Sequence, residues 1–168
     1  DKLLPVFSGA DDKIRYAYSG ELDIMGKYVP GYEPENKLYL GGEGMIATAD
    51  GYTDFIRMLL NHGELNGYRF LNESTVKEMY SPHTQLENEY GYNGYNLWVT
   101  SELVKELGEG DSGLWRGGGY EGTHFWIDPK RDFVGVIMSQ MFETPKSGEG
   151  RDGKIVGEIY RQIFSNEK

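Results

Sequence analysis

The 168-residue sequence contains no cysteine and only three histidines. The lack of cysteine excludes disulfides, a cysteine nucleophile and thiolate metal sites. The histidines His62, His83 and His124 are too far apart for metal-ligand spacing, so we predict neither a metal nor another cofactor. No apolar run approaches the ~18 residues of a membrane span. The segment Asp1 to Pro5 does not read as a signal peptide.

The charge balance is acidic, with a net charge of -10 and an isoelectric point near 4.8. This argues against nucleic acid and anionic membrane surfaces as partners. The length suits a single domain with its own core. Glycine (24 residues) and tyrosine (13 residues) are frequent, which is typical of turn-rich proteins containing β-structure but identifies no function.

The clearest pattern lies between Gly113 and Met141, where a glycine-rich turn leads into two strands. The first strand spans 123–128 and alternates, with Thr123, Phe125 and Ile127 facing one way and His124, Trp126 and Asp128 the other. A turn cluster at 128–132 follows. The next run, 133–138, is nearly all apolar, which predicts a strand covered on both faces.

The remaining segments predict a fold of mixed type. From the start of the chain they are a strand at 13–18, a possible return strand at 22–25, a long loop at 26–42, a helix at 49–62 capped by Thr48, a hairpin at 64–71, a helix at 73–80 capped by Asn72, an irregular stretch at 81–92, a strand at 92–100, a charged loop at 101–112, an irregular loop at 143–153 and a helix at 154–165. We therefore predict an α+β fold, an antiparallel sheet of about three core strands with flanking helices, and the last helix across one face.

Two motifs resemble those of a known superfamily. Arg116-x-Gly118-Gly119-x-x-Gly122, followed by FWIDP and an apolar strand, resembles the third active-site motif of the serine β-lactamases and penicillin-binding proteins, closest to the class C-like and esterase-like branch. The matching triplet is Arg116-Gly117-Gly118, although a different gap would start it at Gly117 without a basic residue. The entry into the first helix, 41–50, also resembles the family pattern. The resemblance covers essentially the whole chain, 1–168, but only the C-terminal half of the family fold, as a single domain or a portion of one.

The resemblance implies part of a serine hydrolase that acts on a β-lactam, a D-alanyl peptide or an ester. The nucleophile of the family is the serine of a Ser-x-x-Lys motif, and a Tyr-x-Asn or Ser-x-Asn motif lines the opposite wall. This sequence has no Tyr-x-Asn or Ser-x-Asn. Its Ser-x-x-Lys matches begin at Ser74, in a polar helix, and at Ser165, near the chain end, and both look accidental. The chain alone is therefore expected to be inactive.

Carried over to this sequence, the family pattern assigns a few site residues. The backbone N–H of Gly119 would be an oxyanion-hole donor. Arg116, Gly117, Gly118 and Tyr120 would bind substrate, and Arg116 could hold a carboxylate bidentately but could not transfer protons.

The sequence leaves several alternatives open. Arg116 could instead pair with Asp111 or Glu121 and only hold the turn, and His124 reads better as an outward strand residue than as a pocket residue. The aromatic, acidic surface could belong to a non-catalytic glycan- or peptide-binding module. The exposed flank of the first central strand would need the missing N-terminal segment or another copy as its partner. The family resemblance suggests a cell-envelope or secreted location.

Overall fold

A computed structural model describes residues 47–119, 123–138 and 151–164, and the backbone alone at 23–24, 27–28 and 151–152. The predicted strand at 13–18 lies outside the described residues, as do most of the loop at 26–42 and of that at 143–153. Among the described helices, none has the length and apolar character needed to cross a membrane.

The chain divides into two compact units, Asp1–Tyr52 and Thr53–Lys168. In the first unit, strands β1 (Asp23–Ile24) and β2 (Lys27–Tyr28) form an antiparallel pair. Strand β1 lies within the return strand predicted at 22–25. Strand β2 corrects the loop prediction at 27–28, because a strand of two residues is too short to give an alternating pattern.

Helix α1 (Ala49–Leu60) starts where its cap predicts, since Thr48 Oγ1 accepts a hydrogen bond from the Gly51 amide at 3.1 Å. Strands β3 (Glu64–Leu65) and β4 (Tyr68–Arg69) then form the predicted hairpin. Its Asn66-Gly67 turn has positive φ at both residues, +53° and +77°, as a type I′ turn requires. Helix α2 (Glu73–Tyr80) follows directly after Asn72, so the hairpin and both helices are confirmed, but the Asn72 side chain makes no capping hydrogen bond.

The second unit is built on a six-stranded antiparallel sheet in which each strand pairs with its neighbour in sequence. In order across the sheet, the strands are β5 (Thr84–Gln85), β6 (Tyr90–Asn93), β7 (Trp98–Thr100), β8 (Trp115–Gly118), β9 (His124–Asp128) and β10 (Phe133–Ile137). The predicted α+β class is confirmed, but the sheet has six strands where about three were predicted.

The additional strands come from segments whose local pattern is weak. The stretch predicted to be irregular at 81–92 contains β5 and most of β6. The single strand predicted at 92–100 is instead the two arms of a tight hairpin, closed by a bond from the Gly94 amide to the Leu97 carbonyl at 2.8 Å. The predicted loop at 101–112 contains a short helix, α3 (Leu103–Glu106). Pairing across the sheet stabilises these elements more than their own sequence does.

Strands β9 and β10 and the last helix, α4 (Arg151–Ile163), lie close to where they were predicted. The prediction that the β10 strand is covered on both faces is wrong, because all its residues are half-buried and it is the last strand of the described sheet. The Trp126 indole lies over Gly135, its partner across the strands, where an added Cβ would stand 2.1 Å from the ring. Helix α4 covers this face through a buried cluster of Leu114, Trp126, Val156 and Tyr160, with Phe133, Ile137, Ile159 and Phe164 packed around it. The prediction that the last helix lies across one face is confirmed.

A network of charged side chains holds the turn between β9 and β10 against α4. Asp128 is 1% exposed and accepts hydrogen bonds from Arg131 Nη1 and the Tyr160 hydroxyl, both at 2.8 Å. Arg131 also reaches Asp111 at 2.8 Å, and Lys105 contacts the same carboxylate at 3.0 Å. The network therefore joins α3, the turn and α4 around two buried carboxylates.

The expected open flank is not at the first of the two central strands. Strand β9 is flanked by β8 on one side and β10 on the other. Among the strands that the structure describes, the sheet ends at β10 and at β5. A segment or second copy paired at such an edge stays a prediction.

Candidate functional site

The glycine-rich stretch forms the end of strand β8 and extends past its neighbour on one side. Strand β9 pairs with all four residues of β8, from Trp115 to Gly118. Strand β7 pairs only with Trp115 and Arg116. Gly118 and Gly119 are exposed, so this strand end presents backbone to solvent on the side where β7 has ended.

The direction of each amide along this end follows from the hydrogen bonds around it. The Gly119 N–H donates to the Thr123 carbonyl at 2.7 Å, on the β9 side. On the β7 side, the Thr100 N–H donates to the Leu114 carbonyl at 3.0 Å. Successive N–H groups of a strand point to opposite edges. Both bonds therefore fit the same alternation, in which odd-numbered residues of β8 face β9 and even-numbered residues face β7. In this alternation, the Gly118 N–H points to the edge that β7 leaves open.

Glycine is required in this stretch at Gly117, where the strand packs closely against a ring. A Cβ on Gly117 would stand 2.3 Å from Cε1 of Phe125, its partner on β9. At Gly118 a Cβ would meet His124 Nδ1 at 3.2 Å, a tight contact. At Gly119 its nearest neighbour is Thr123 Cβ at 3.7 Å, an ordinary contact. Gly117 is therefore required by packing. An added Cβ would need a smaller displacement of its neighbour at Gly118 and none at Gly119.

The Arg116 side chain lies inside the protein, only 1% exposed. Its Nε donates to His124 Nε2 at 3.1 Å, and the guanidinium carbon stands 5.8 Å from the centre of the Tyr90 ring. The alternative pairing with Asp111 is wrong, because that carboxylate is held by Lys105 and Arg131. Glu121, the other proposed partner, lies outside the described residues, as does Tyr120.

His124 is 5% exposed, so its interpretation as an outward strand residue is wrong. Burial, together with the positive charge of Arg116, lowers the pKa of His124 to about 3. The imidazole is therefore neutral at physiological pH. Because Nε2 accepts from Arg116, the ring proton is assigned to Nδ1. Two strands thus place a neutral acceptor beside a buried cation.

The described serines lack the environment of an activated nucleophile. Ser74 is exposed on α2. Ser81 and Ser101 donate from Oγ to backbone carbonyls, those of Lys77 at 2.7 Å and Asn88 at 3.0 Å. Across the described ranges, no serine hydroxyl bonds to a lysine, histidine or tyrosine side chain.

Ser112 bonds to a carboxylate, that of Glu102. Hydrogen bonds from Ser112 and Lys105 keep the pKa of Glu102 below its usual range, which makes this carboxylate a weak base. Ser112 is therefore a poor candidate for nucleophile activation.

Comparison with known proteins gives consistent matches. The family model described as beta-lactamase matches residues 6–157. Protein Rv1367c of Mycobacterium tuberculosis strain H37Rv, and protein MT1414 of strain CDC 1551, are each 29% identical over 132 residues, covering 70% of this chain and 32% of the relative. The chain thus spans about a third of the length of these curated relatives.

A solved structure, titled "EstCE1, a hydrolase with promiscuous acyltransferase activity", aligns with a TM-score of 0.52 at 18% identity. The alignment covers 68% of this chain and 30% of the other. At this identity the likeness supports the fold alone.

Proposed function

The chain belongs to the β-lactamase family, and from that premise we propose that it is the part of a serine hydrolase that supplies the third active-site motif but not the nucleophile. The reaction would be acyl-enzyme formation and hydrolysis on a β-lactam, a D-alanyl peptide or an ester. The observation that carries the proposal is the end of β8, where an exposed glycine directs its amide to an uncovered sheet edge.

The amide would act on the charge that forms during acyl transfer. A serine hydroxyl, supplied by a longer protein that contains this sequence, gives its proton to a base of that protein and bonds to the substrate carbonyl carbon. The carbonyl π bond breaks, and the carbonyl oxygen becomes an oxyanion. A preorganised N–H donor at that oxygen lowers the barrier by about 3 kcal/mol. The open-edge geometry favours Gly118 as this donor. Gly119, the donor expected from the family pattern, would act only after releasing its bond to Thr123.

The expected substrate contact of Arg116 requires more than a local adjustment. With 1% of the residue exposed and Nε bonded to His124, the guanidinium would have to leave its buried position to reach a substrate carboxylate. We therefore propose that substrate contacts the backbone of Gly118 and Gly119. The buried Arg116 side chain would instead stabilise β8 through its hydrogen bond to His124. Tyr120 and Gly117 stay as substrate-binding predictions from the family pattern.

Removal of single N–H groups tests this assignment in a longer protein that contains this sequence and a Ser-x-x-Lys motif. Gly118→Pro deletes the open-edge N–H, and kcat/KM should fall by about 10²–10³-fold. Gly118→Ala keeps the N–H and is the matched control, with turnover close to that of the parent protein. If Gly119→Pro abolishes turnover while Gly118→Pro retains it, the donor is Gly119. If both proline variants retain full turnover, the proposed role of this strand end is contradicted.

A further inference from the structure

Arg116 differs from Arg69 and Arg131 in having no carboxylate partner among the described residues. Arg69 bonds to Glu64 at 3.1 Å and Arg131 to Asp111 at 2.8 Å. Arg116 is the most deeply buried of these three, yet its hydrogen-bond acceptor is the neutral imidazole of His124. Its Nη1 atom is buried and has no hydrogen-bond partner among the described residues.

A second buried donor without a partner lies directly across the strands. Trp126 faces Arg116 in the β8–β9 pairing and is 2% exposed. Its indole Nε1 is the other buried side-chain atom left without a hydrogen bond in the described ranges. The His124 ring, which accepts from Arg116, stacks at 6.3 Å from the Trp126 ring. The two donors therefore belong to one cluster on one face of the sheet.

Such a cluster is unfavourable unless an acceptor completes it. Directly opposed strand residues have Cβ atoms about 4.5–5.5 Å apart, so these two side chains leave the same face of the sheet next to each other. Arg keeps its charge at all physiological pH values, so burial cannot neutralise it as it would a lysine. Buried polar donors are almost always satisfied, and a buried charge needs a counter-charge.

We propose that Arg116 and Trp126 form a buried anion site that binds one carboxylate, which accepts hydrogen bonds from Arg116 Nη1 and Trp126 Nε1. A carboxylate fits because the site offers a single fixed positive charge and two free donors, whereas a phosphate would require more of both. Its source is either an Asp or Glu side chain elsewhere in a longer protein or a free small carboxylate. The site lies beneath β8, apart from the exposed backbone at Gly118 and Gly119.

Thermal unfolding of the 168-residue chain in sodium formate tests the site. Sodium gluconate at equal ionic strength is the comparison, because its carboxylate is too bulky for a buried site. Formate should raise Tm saturably, by about 3–6 °C at ten times its Kd, and gluconate should not. Formate should also shift the ¹⁵N resonance of the Arg116 guanidinium.

Variants locate the effect. Arg116→Gln should lose the formate response, whereas Arg69→Gln, which alters an exposed pair, should keep it. Trp126→Phe keeps a ring but removes the N–H, and it should weaken formate binding by about 5–10-fold. This variant provides a second test if Arg116→Gln fails to fold.

Two results would overturn the proposal. One is equal Tm in formate and gluconate, with no shift at Arg116. The other is a formate response that appears only in Glu121→Gln, because the chain itself would then supply the acceptor. In a longer protein, loss of the formate response would identify a side-chain carboxylate as the occupant, and a retained response would identify a free one.

Discussion

The Tyr160 hydroxyl donates to the carboxylate of Asp128 at 2.8 Å and so ties helix α4 to the end of strand β9. Asp128 also accepts from the backbone N–H groups of Lys130 and Arg131, at 3.0 and 3.2 Å. Burial first, and then the bond to Asp128, raise the pKa of Tyr160, so the hydroxyl stays protonated as a donor. The last helix is thus held to the sheet by a buried polar bond as well as by apolar packing.

Loss of that hydroxyl should weaken the folded state measurably. Tyr160→Phe should lower the free energy of unfolding by about 1–2 kcal/mol, because a buried carboxylate loses one donor while the ring packing is kept. Urea denaturation measures the change. Tyr95→Phe is the control, since Tyr95 is 59% exposed and its change should stay within about 0.5 kcal/mol. Equal losses in the two variants would contradict the role of the Asp128 bond.

Stability should depend on pH through His124. Its folded-state pKa is about 3 and its ordinary value 6.5, so below pH 6.5 the unfolded chain binds a proton that the folded chain does not. The free energy of unfolding should therefore fall with decreasing pH, by about 2 kcal/mol between pH 7.5 and 5.0 from this residue.

Chemical denaturation across that pH range measures the His124 contribution. His124→Gln retains a side-chain acceptor for Arg116 but cannot titrate. Between pH 7.5 and 5.0, its loss of unfolding free energy should therefore be smaller than that of the parent chain by about 2 kcal/mol. His62→Gln should behave like the parent chain. A pH dependence unchanged in His124→Gln would show that this imidazole is not buried and neutral in the folded state.

Asp111 should stabilise the junction between α3 and the β9–β10 turn. Partial burial acts to raise the pKa of Asp111, but hydrogen bonds from Lys105 and Arg131 outweigh this effect and lower that pKa to about 2. Its contribution is therefore complete above pH 3.8 and lost as the pH falls toward 2. Asp111→Asn should lower the free energy of unfolding at pH 7 by about 2–3 kcal/mol, because Lys105 and Arg131 lose their shared counter-charge.

The exposed pair of Glu158 and Arg161 is the matched control for Asp111. Glu158→Gln removes a solvent-exposed carboxylate and should change stability by no more than about 0.5–1 kcal/mol. A loss in Asp111→Asn no larger than that in Glu158→Gln would show that the charge network contributes little.

The predictability of the fold varies with the length of its elements. Strands β9 and β10 and helix α4 have enough apolar positions for their periods to be evident, so their existence and their packing could be predicted. Strands β5 to β7 have only two to four residues each, which is too short for a period to emerge, and β6 consists of Tyr, Gly and Asn alone. They are strands because each pairs with its neighbour in the sheet, β7 with β8, β6 with β7 and β5 with β6.

The position of the candidate site in the sequence was predictable, but the exposure and direction of its groups were not. The glycine pattern locates the strand end at Gly118 and Gly119. Whether the edge beside the Gly118 amide is open depends on where β7 begins, at Trp98, and no local signal gives that point. The burial of Arg116 beneath Tyr90 also depends on β6, whose alternation is interrupted by a bulge between Tyr90 and Tyr92.

In the proposed function, this chain contributes a strand to a serine hydrolase active site whose nucleophile lies elsewhere. Treatment with a fluorophosphonate serine probe, followed by peptide mapping by mass spectrometry, tests it directly on the 168-residue chain and on a longer protein with a Ser-x-x-Lys motif. We predict no adduct and no nitrocefin or p-nitrophenyl ester turnover above background for the chain alone, and an adduct on the Ser-x-x-Lys serine of the longer protein. An adduct mapped to Ser74, with turnover by the chain alone, would contradict it.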